Sequence, residues 1–263
     1  MKRLAFLATL LAPAAAAQTA PEPPRPIAAS KIILVGDSTT AVIGGWGPSF
    51  CAYHVTSFMA CLNLGRGGRS TLSYRAEGSW NVALGEMRTP GYRNVWVLIQ
   101  FGHNDQPGKP GRSTDLATEF PANLARYVDE ARAAGAKPIL VTPLSRRMFK
   151  DGRLANDLEP WAAAVRKVAA EKKVPLLDLN SESAAAIQAM GEAAADRLAQ
   201  VPPGTAPAPE APRATETVVQ PMAQPKLAFD RTHVGVAGAN YFSAMVTREL
   251  AAAVPEMRPL LLP

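Results

Sequence analysis

Along this chain, aliphatic and β-branched residues gather into five short runs. Between them lie longer stretches in which apolar positions recur every three or four residues. The runs predict strands over 31–36, 61–65, 94–101, 137–142 and 174–179. The longer stretches predict helices near 47–58, 80–87, 118–134, 157–172, 181–199 and 236–253. Local punctuation agrees. Ala133-Ala134-Gly135 ends a helix ahead of the Pro138–Val141 run. Lys172 and Lys173 place cations at the close of the next helix. The strand runs are near-continuously apolar, as in strands covered on both faces. Five strands alternating with helices predict an α/β fold, a three-layer α/β/α sandwich around a five-stranded parallel sheet. No internal repeat is present.

Two segments break the alternation. Residues 1–17 combine Lys2 and Arg3, an apolar stretch from Leu4 to Leu11 and an Ala15-Ala16-Ala17 terminus, which is the pattern of a signal peptide. That apolar stretch is too short to span a bilayer comfortably, and no later one approaches the needed length. Residues 18–30 are Pro-rich and polar, a disordered lead-in. Residues 201–226 hold seven prolines and no aromatic residue. An interdomain linker has that composition too. The remaining stretch, 227–263, is too short for a second domain, so the segment is read as an inserted loop within one domain spanning 31–255.

A chain of 263 residues fits that one domain. Its 28 Lys and Arg against 22 Asp and Glu give +6, or +4 once Lys2 and Arg3 leave with the leader. The cations are scattered, with no basic–aromatic interleaving, which argues against a nucleic-acid partner. An exported, soluble protein is expected, periplasmic or extracellular, without membrane attachment after leader removal and monomeric. Cys51 and Cys61 are the only cysteines. An exported pair favours a disulfide, and two buried free thiols are the alternative. With three scattered histidines they match no metal-ligand spacing.

The chemistry-bearing residues sit at strand ends. The first strand runs into Gly36-Asp37-Ser38, a turn that lifts a serine out of the sheet's carboxyl end. Ser38 is a candidate nucleophile, or else a helix N-cap. Asp230 and His233 lie three apart, spaced to supply a base and its orienting carboxylate. Their presence favours the nucleophile. His103 is the rival base. Alternation at a strand end points it away from Asn104, toward a loop-supporting role. His54 is read as solvated or structural. The Asn104 amide and the backbone N–H groups of Gly68 and Ser38 are candidate oxyanion donors. Gly68 also suits a turn that needs positive φ. The cluster Gly65-Arg66-Gly67-Gly68 fits a dinucleotide fingerprint poorly, because position 70 is Ser. Arg66 and Arg69 are candidate carboxylate ligands or surface ion-pair partners. Trp46 and Trp80 are candidate sugar-stacking residues on loops rimming the site, or core residues. Asp105 orients its loop or is solvated.

Four segments, GDSTT at 36–40, NLGRGGRST at 63–71, IQFGHND at 99–105 and DRTHV at 230–234, resemble in order and spacing the SGNH (GDSL-type) hydrolases, and within them the rhamnogalacturonan acetylesterase branch. The resemblance runs from about residue 31 to 253. It implies flavodoxin-like strand order and a Ser-His-Asp carboxylic ester hydrolase that needs no metal or organic cofactor. The expected activity is removal of O-acetyl groups from acetylated polysaccharide or oligosaccharide, most closely pectic, through an acetyl-enzyme. An esterase or lipase for other acyl groups is the alternative within enzymes. A non-catalytic carbohydrate-binding domain of the same fold is the alternative outside them. All three triad residues and both outer oxyanion donors are present, which argues against the last.

Overall fold

A computed structural model describes residues 28–205 and 228–263. The expected leader 1–17, most of the lead-in and the loop from 206 to 226 lie outside the described residues. β1 (Ser30–Gly36), β2 (Met59–Asn63), β3 (Val95–Gln100), β4 (Lys137–Val141) and β7 (Leu176–Leu177) form the central sheet. Their order is β2-β1-β3-β4-β7, with every pairing parallel. That is the five-stranded, flavodoxin-like order expected.

Alternation along the strands assigns the two faces. Ile32 and Leu34 on β1 and Leu98 on β3 point to one side. There they meet Phe50 of α1 (Gly47–Tyr53), Ile187 of α6 (Leu179–Met190), and Phe242, Val246 and Leu250 of α8 (Val236–Ala253). Ile33, Val35, Val97 and Ile99 point to the other. They are covered by α3 (Ser79–Arg88), α4 (Glu119–Ala133) and α5 (Glu159–Lys172). These β1 and β3 side chains are essentially fully buried. Each contributes about 1.5–3 kcal/mol of hydrophobic stabilisation. Short α2 (Ser73–Ala76), the hairpin β5 (Phe149–Lys150) and β6 (Arg153–Leu154), α7 (Glu192–Asp196) and a 3₁₀ helix at Pro255–Leu260 complete the described elements.

Element boundaries differ from expectation for identifiable reasons. The helix expected over 47–58 stops at Tyr53. Beyond it, Val55 bridges to Leu261, Thr56 donates to Leu260, and the Cys51–Cys61 disulfide ties the helix to β2. The helix expected over 181–199 is cut at Gly191, whose φ of 77° separates α6 from α7. The strand expected over 174–179 shrinks to two residues. Pro175 has no N–H to donate, and Asp178 already stands at the N-terminal boundary of α6. The β5–β6 hairpin is too short to register as alternation.

α6 and α8 also bring two carboxylates together. Burial first, then a hydrogen bond with Glu182 and the charges of Glu182 and Asp178, push Glu249 up to about 8. A carboxyl raised in the folded state holds its proton more tightly there than in the unfolded chain. Its stabilising contribution is therefore full below the ordinary value of 4.5 and is lost as pH rises through about 8. Thermal melts across this window should show wild-type stability declining with pH and a smaller decline in Glu249→Gln. Equal declines in both proteins would remove the assignment.

Candidate active site

The strand order reverses between β1 and β3, and the loops leaving β1, β2 and β3 all emerge at the sheet's carboxyl end. In such sheets this crevice is where ligands bind. β1 ends at Gly36. Asp37 to Ala41 then form a single helical turn, with the Thr40 and Ala41 N–H groups donating to Asp37 O at 3.2 and 3.0 Å. Ser38 sits on that turn, 9% exposed.

One amide pins the loop after Ser38 to β3, beside the Asn63 amide of β2, which donates to the Thr40 carbonyl at 2.9 Å. Gln100, the last residue of β3, is 1% exposed. Its Oε1 accepts from Thr40 Oγ1 at 2.8 Å and from Trp46 Nε1 at 2.7 Å, and its Nε2 donates to Thr39 Oγ1 at 3.1 Å. Gly36 admits no side chain here, because a Cβ would lie 2.6 Å from Thr40 Oγ1 and 2.7 Å from the Gln100 carbonyl.

His233 reaches this turn from a distant segment. Its Nε2 is 2.9 Å from Ser38 Oγ, and its Nδ1 is 2.9 Å from Asp230 Oδ2. Asp230 Oδ1 accepts the backbone N–H groups of Thr232 and His233 at 2.8 and 2.7 Å. Burial raises the Asp230 carboxyl, but its hydrogen bonds and the imidazole outweigh that and hold it at about 2. The stability this carboxylate contributes is present above its ordinary 3.8 and is lost as pH falls through about 2. Gly44 lies against the imidazole. Its carbonyl accepts the Val234 N–H at 2.9 Å, its φ is 84°, and a Cβ there would meet His233 Cδ2 at 3.1 Å.

The arrangement links a hydroxyl, an imidazole and a carboxylate in series, the geometry in which His accepts the serine proton and Asp fixes its tautomer. Gly68 (φ 77°) and Asn104 come from the loops after β2 and β3, which flank β1. Asn104 Nδ2 donates to Arg69 O at 3.1 Å. Its second amide hydrogen has no partner among the described residues and can serve a developing oxyanion.

His103 is buried, and its Nδ1 lies 3.3 Å from Oδ2 of the equally buried Asp37, without hydrogen-bond alignment. Burial pushes Asp37 up, but the neighbouring imidazole and the Thr39 hydrogen bonds prevail and hold it below the usual carboxylate range. His103 therefore backs the Ser38 turn, while His54 lies apart, bonded to Leu262 O at 2.7 Å. Asp105 is buried rather than solvated. It accepts from Thr71 N at 3.0 Å and from both the Thr71 and Thr114 hydroxyls, bracing one loop on the other. Burial pushes it up to about 7 against those bonds.

Three expected substrate contacts are placed elsewhere. Trp46 is fully buried, with its N–H on Gln100 and its ring edge-on to Phe50 at 6.0 Å. Trp80 belongs to α3, not to a loop. It is 1% exposed, 4.6 Å from the Tyr127 ring, and donates to Glu130 at 2.6 Å. Burying an indole while satisfying its N–H stabilises more than exposing it, so both are core residues. Arg69 is buried and engaged with Glu77 Oε2 and Gly67 O, each at 2.8 Å. Arg66 is exposed.

Two contributors lack a sequence signal of their own. Gln100 is marked by its polarity at the end of an apolar run and by its place in the IQFGHND segment, neither of which assigns it a role. Arg147 carries no mark at all. It is fully buried beneath the Asp230–His233 loop, donating to His233 O at 2.7 Å and Asp230 O at 3.2 Å.

Replacing Gln100 by Leu would strand the Thr40 hydroxyl and the Trp46 N–H in the core. We expect a loss of about 2–4 kcal/mol in stability and a fall in turnover of the remaining folded protein. Denaturant titration and active-site-normalised rates on 4-nitrophenyl acetate test this. Unchanged values for both would show that the turn does not depend on the amide.

Residues 34–206 match the GDSL-like Lipase/Acylhydrolase family, ahead of Asp230 and His233. Two Bacillus subtilis (strain 168) proteins are similar in sequence. The protein named probable rhamnogalacturonan acetylesterase YesY is 34% identical over 171 residues, covering 62% of this chain and 76% of its own. Rhamnogalacturonan acetylesterase RhgT is 35% identical over 176 residues, covering 64% and 72%. In fold, the YXIM protein of Bacillus subtilis superposes with a TM-score of 0.65 at 22% identity, over 87% of this chain. This chain spans only 58% of that one. The acetylxylan esterase Axe2 of Geobacillus stearothermophilus superposes with a TM-score of 0.56 at 20% identity, over 85% of this chain and 95% of its own. The chain belongs to the GDSL-like lipase/acylhydrolase family and is a carboxylic ester hydrolase.

Proposed function

We propose that this protein removes O-acetyl groups from polysaccharide, with pectic, rhamnogalacturonan-type chains as substrate. The observation that carries the reading is the Ser38–His233–Asp230 series, with the Asn104 amide beside it. Ser38 attacks the acetyl carbonyl as His233 takes its proton. The oxyanion is held by the Ser38 and Gly68 N–H groups and the Asn104 amide. Collapse expels the sugar hydroxyl, protonated by His233, and leaves an acetyl-enzyme. His233 then deprotonates a water that releases acetate.

The substrate class is supported by the names of the two Bacillus subtilis relatives. Charge around the site supports it too. Lys109 donates to the His103 carbonyl, and Arg112 Nη1 lies 3.4 Å from Gly68 O. Neither has an acidic ion-pair partner among the described residues, and Arg66 is exposed nearby in sequence. Cations beside the reacting centre suit an acidic glycan. Export is part of the same proposal. It is supported by the pattern of residues 1–17 and by the Cys51–Cys61 disulfide, a bond of oxidising compartments. We take the protein to act as a monomer.

Acetate release should be fastest on acetylated rhamnogalacturonan, slower on acetylated xylan, and faster on 4-nitrophenyl acetate than on the octanoate. Ser38→Ala should lower each rate by at least about 10³-fold with the fold retained. Preference for octanoate, or for a neutral glycan, would replace the substrate assignment. Turnover by folded Ser38→Ala would remove the acetyl-enzyme.

A further inference from the structure

Beneath the base-bearing loop lies a cation whose bonding is incomplete. Arg147 follows β4 and is fully buried. Its backbone N–H donates to Arg231 O at 2.8 Å, and its Nη2 donates to Asp230 O and His233 O. One residue thus grips three of the four carbonyls in the Asp230–His233 segment. Its Nε and Nη1 are buried without an acceptor. A neutral donor would hold two carbonyls at lower desolvation cost, so burying a charge with donors to spare needs a reason.

We propose that Arg147 is a positioning residue for His233: it fixes the loop that presents the imidazole, and its charge opposes protonation of that imidazole. This rests on His233 acting as the base for Ser38. Burial pulls the guanidinium down to about 10, with Asp230 and then Asp196 acting the other way, so the charge is present at neutral pH. Among the described residues, no other unpaired cation reaches the loop from below. Arg231 is paired with Asp196 and Glu192 of α7, and Arg146, on Thr232 Oγ1, is paired with Asp157. Asp230 is the anion facing the imidazole. The loop at Gly44 brings backbone and no charge. Removing Arg147 would take a positive charge from beneath the Asp230–His233 loop and favour the imidazolium.

The test is kcat and kcat/KM against pH on 4-nitrophenyl acetate. Wild type must show an acid limb, and Ser38→Ala must be inactive. If either fails, the reading of the site fails and Arg147 is not at issue. With both met, Arg147→Met should lower kcat by about tenfold with KM little changed and move the acid limb up by about half a pH unit. Arg147→Lys should return the limb to the wild-type position while kcat stays low, because one ammonium cannot span both carbonyls. An unmoved limb in folded Arg147→Met overturns the proposal, whatever its kcat. If Met does not fold, Arg147→Gln makes the same comparison. If neither neutral variant folds, Arg147→Lys decides: the wild-type limb with lowered kcat supports the proposal, and a displaced limb overturns it.

Discussion

The side chain of Gln100 crosses from β3 to the turn that follows β1, and much of the site rests on that crossing. The inward side chains of both strands are otherwise apolar, so few groups in the sheet can restrain the chain once it leaves Gly36; Asn63 of β2 holds the Thr40 carbonyl at 2.9 Å. A buried amide with three partners supplies the restraint from β3. Inside protein such bonds gain strength from the low dielectric, and a missing partner would cost about 1–3 kcal/mol. Moving the turn off the amide would strand the Thr40 hydroxyl and the Trp46 N–H. Ser38 is therefore held without touching the network that holds it.

The same logic recurs around the crevice. Asp37 precedes Ser38, and His103 precedes Asn104; the two buried side chains face each other at 3.3 Å across β1 and β3. Asp105 follows Asn104 and ties its loop to Thr71, close in sequence to Gly68. Each group that would face an ester is flanked in sequence by a buried polar or charged residue anchoring its loop to another. The desolvation this requires is offset by hydrogen bonds at Asp105 and by the close approach of carboxylate and imidazole at Asp37 and His103, and the return is rigidity where donors must be preorganised.

The parts of this protein that could be read from sequence are those where one local pattern has one physical meaning. Continuous apolar runs marked β1 to β4 to within two residues at most edges, since so short a run bounded by turn residues suits a doubly covered strand and little else. Asp230 and His233 could be paired because they lie three residues apart, and their presence raises Ser38 above a helix N-cap. Trp46 and Trp80 show where such reading stops. An indole in a Gly-rich or Ser-rich segment is equally consistent with a rim and a core, and only tertiary partners decide: Gln100 for one, Glu130 and Tyr127 for the other. Arg69 fails for the same reason, its partner Glu77 lying just past the next short helix. Gly191 breaks a helix that its alanine-rich surroundings favour. Arg147 is invisible because a buried arginine and an exposed one look alike in one dimension.

The site is built in two halves by different means. Ser38, Gly68 and Asn104 stand at the ends of three adjacent strands, so the sheet's register alone fixes their relative positions to within a loop. Asp230 and His233 have no such frame. They fall between the segment after 205 and the start of α8, outside the sheet. Their placement depends on contacts made sideways: Val234 with Gly44 and Ala199, Gly235 with Leu198, and Arg147 below. Gly44 and Gly235 lack side chains where those contacts are tightest; a Cβ on Gly235 would sit 2.7 Å from Ala199 O. Close backbone approach does for this half what strand pairing does for the other. Among the described residues, the Ser38–His233 hydrogen bond is the side-chain link that joins the two halves. A loop fastened this way loses its position through small changes far from the reacting atoms, whereas the strand-borne half loses its position only if the sheet or the buried side chains that pin its turns, Gln100 above all, are changed.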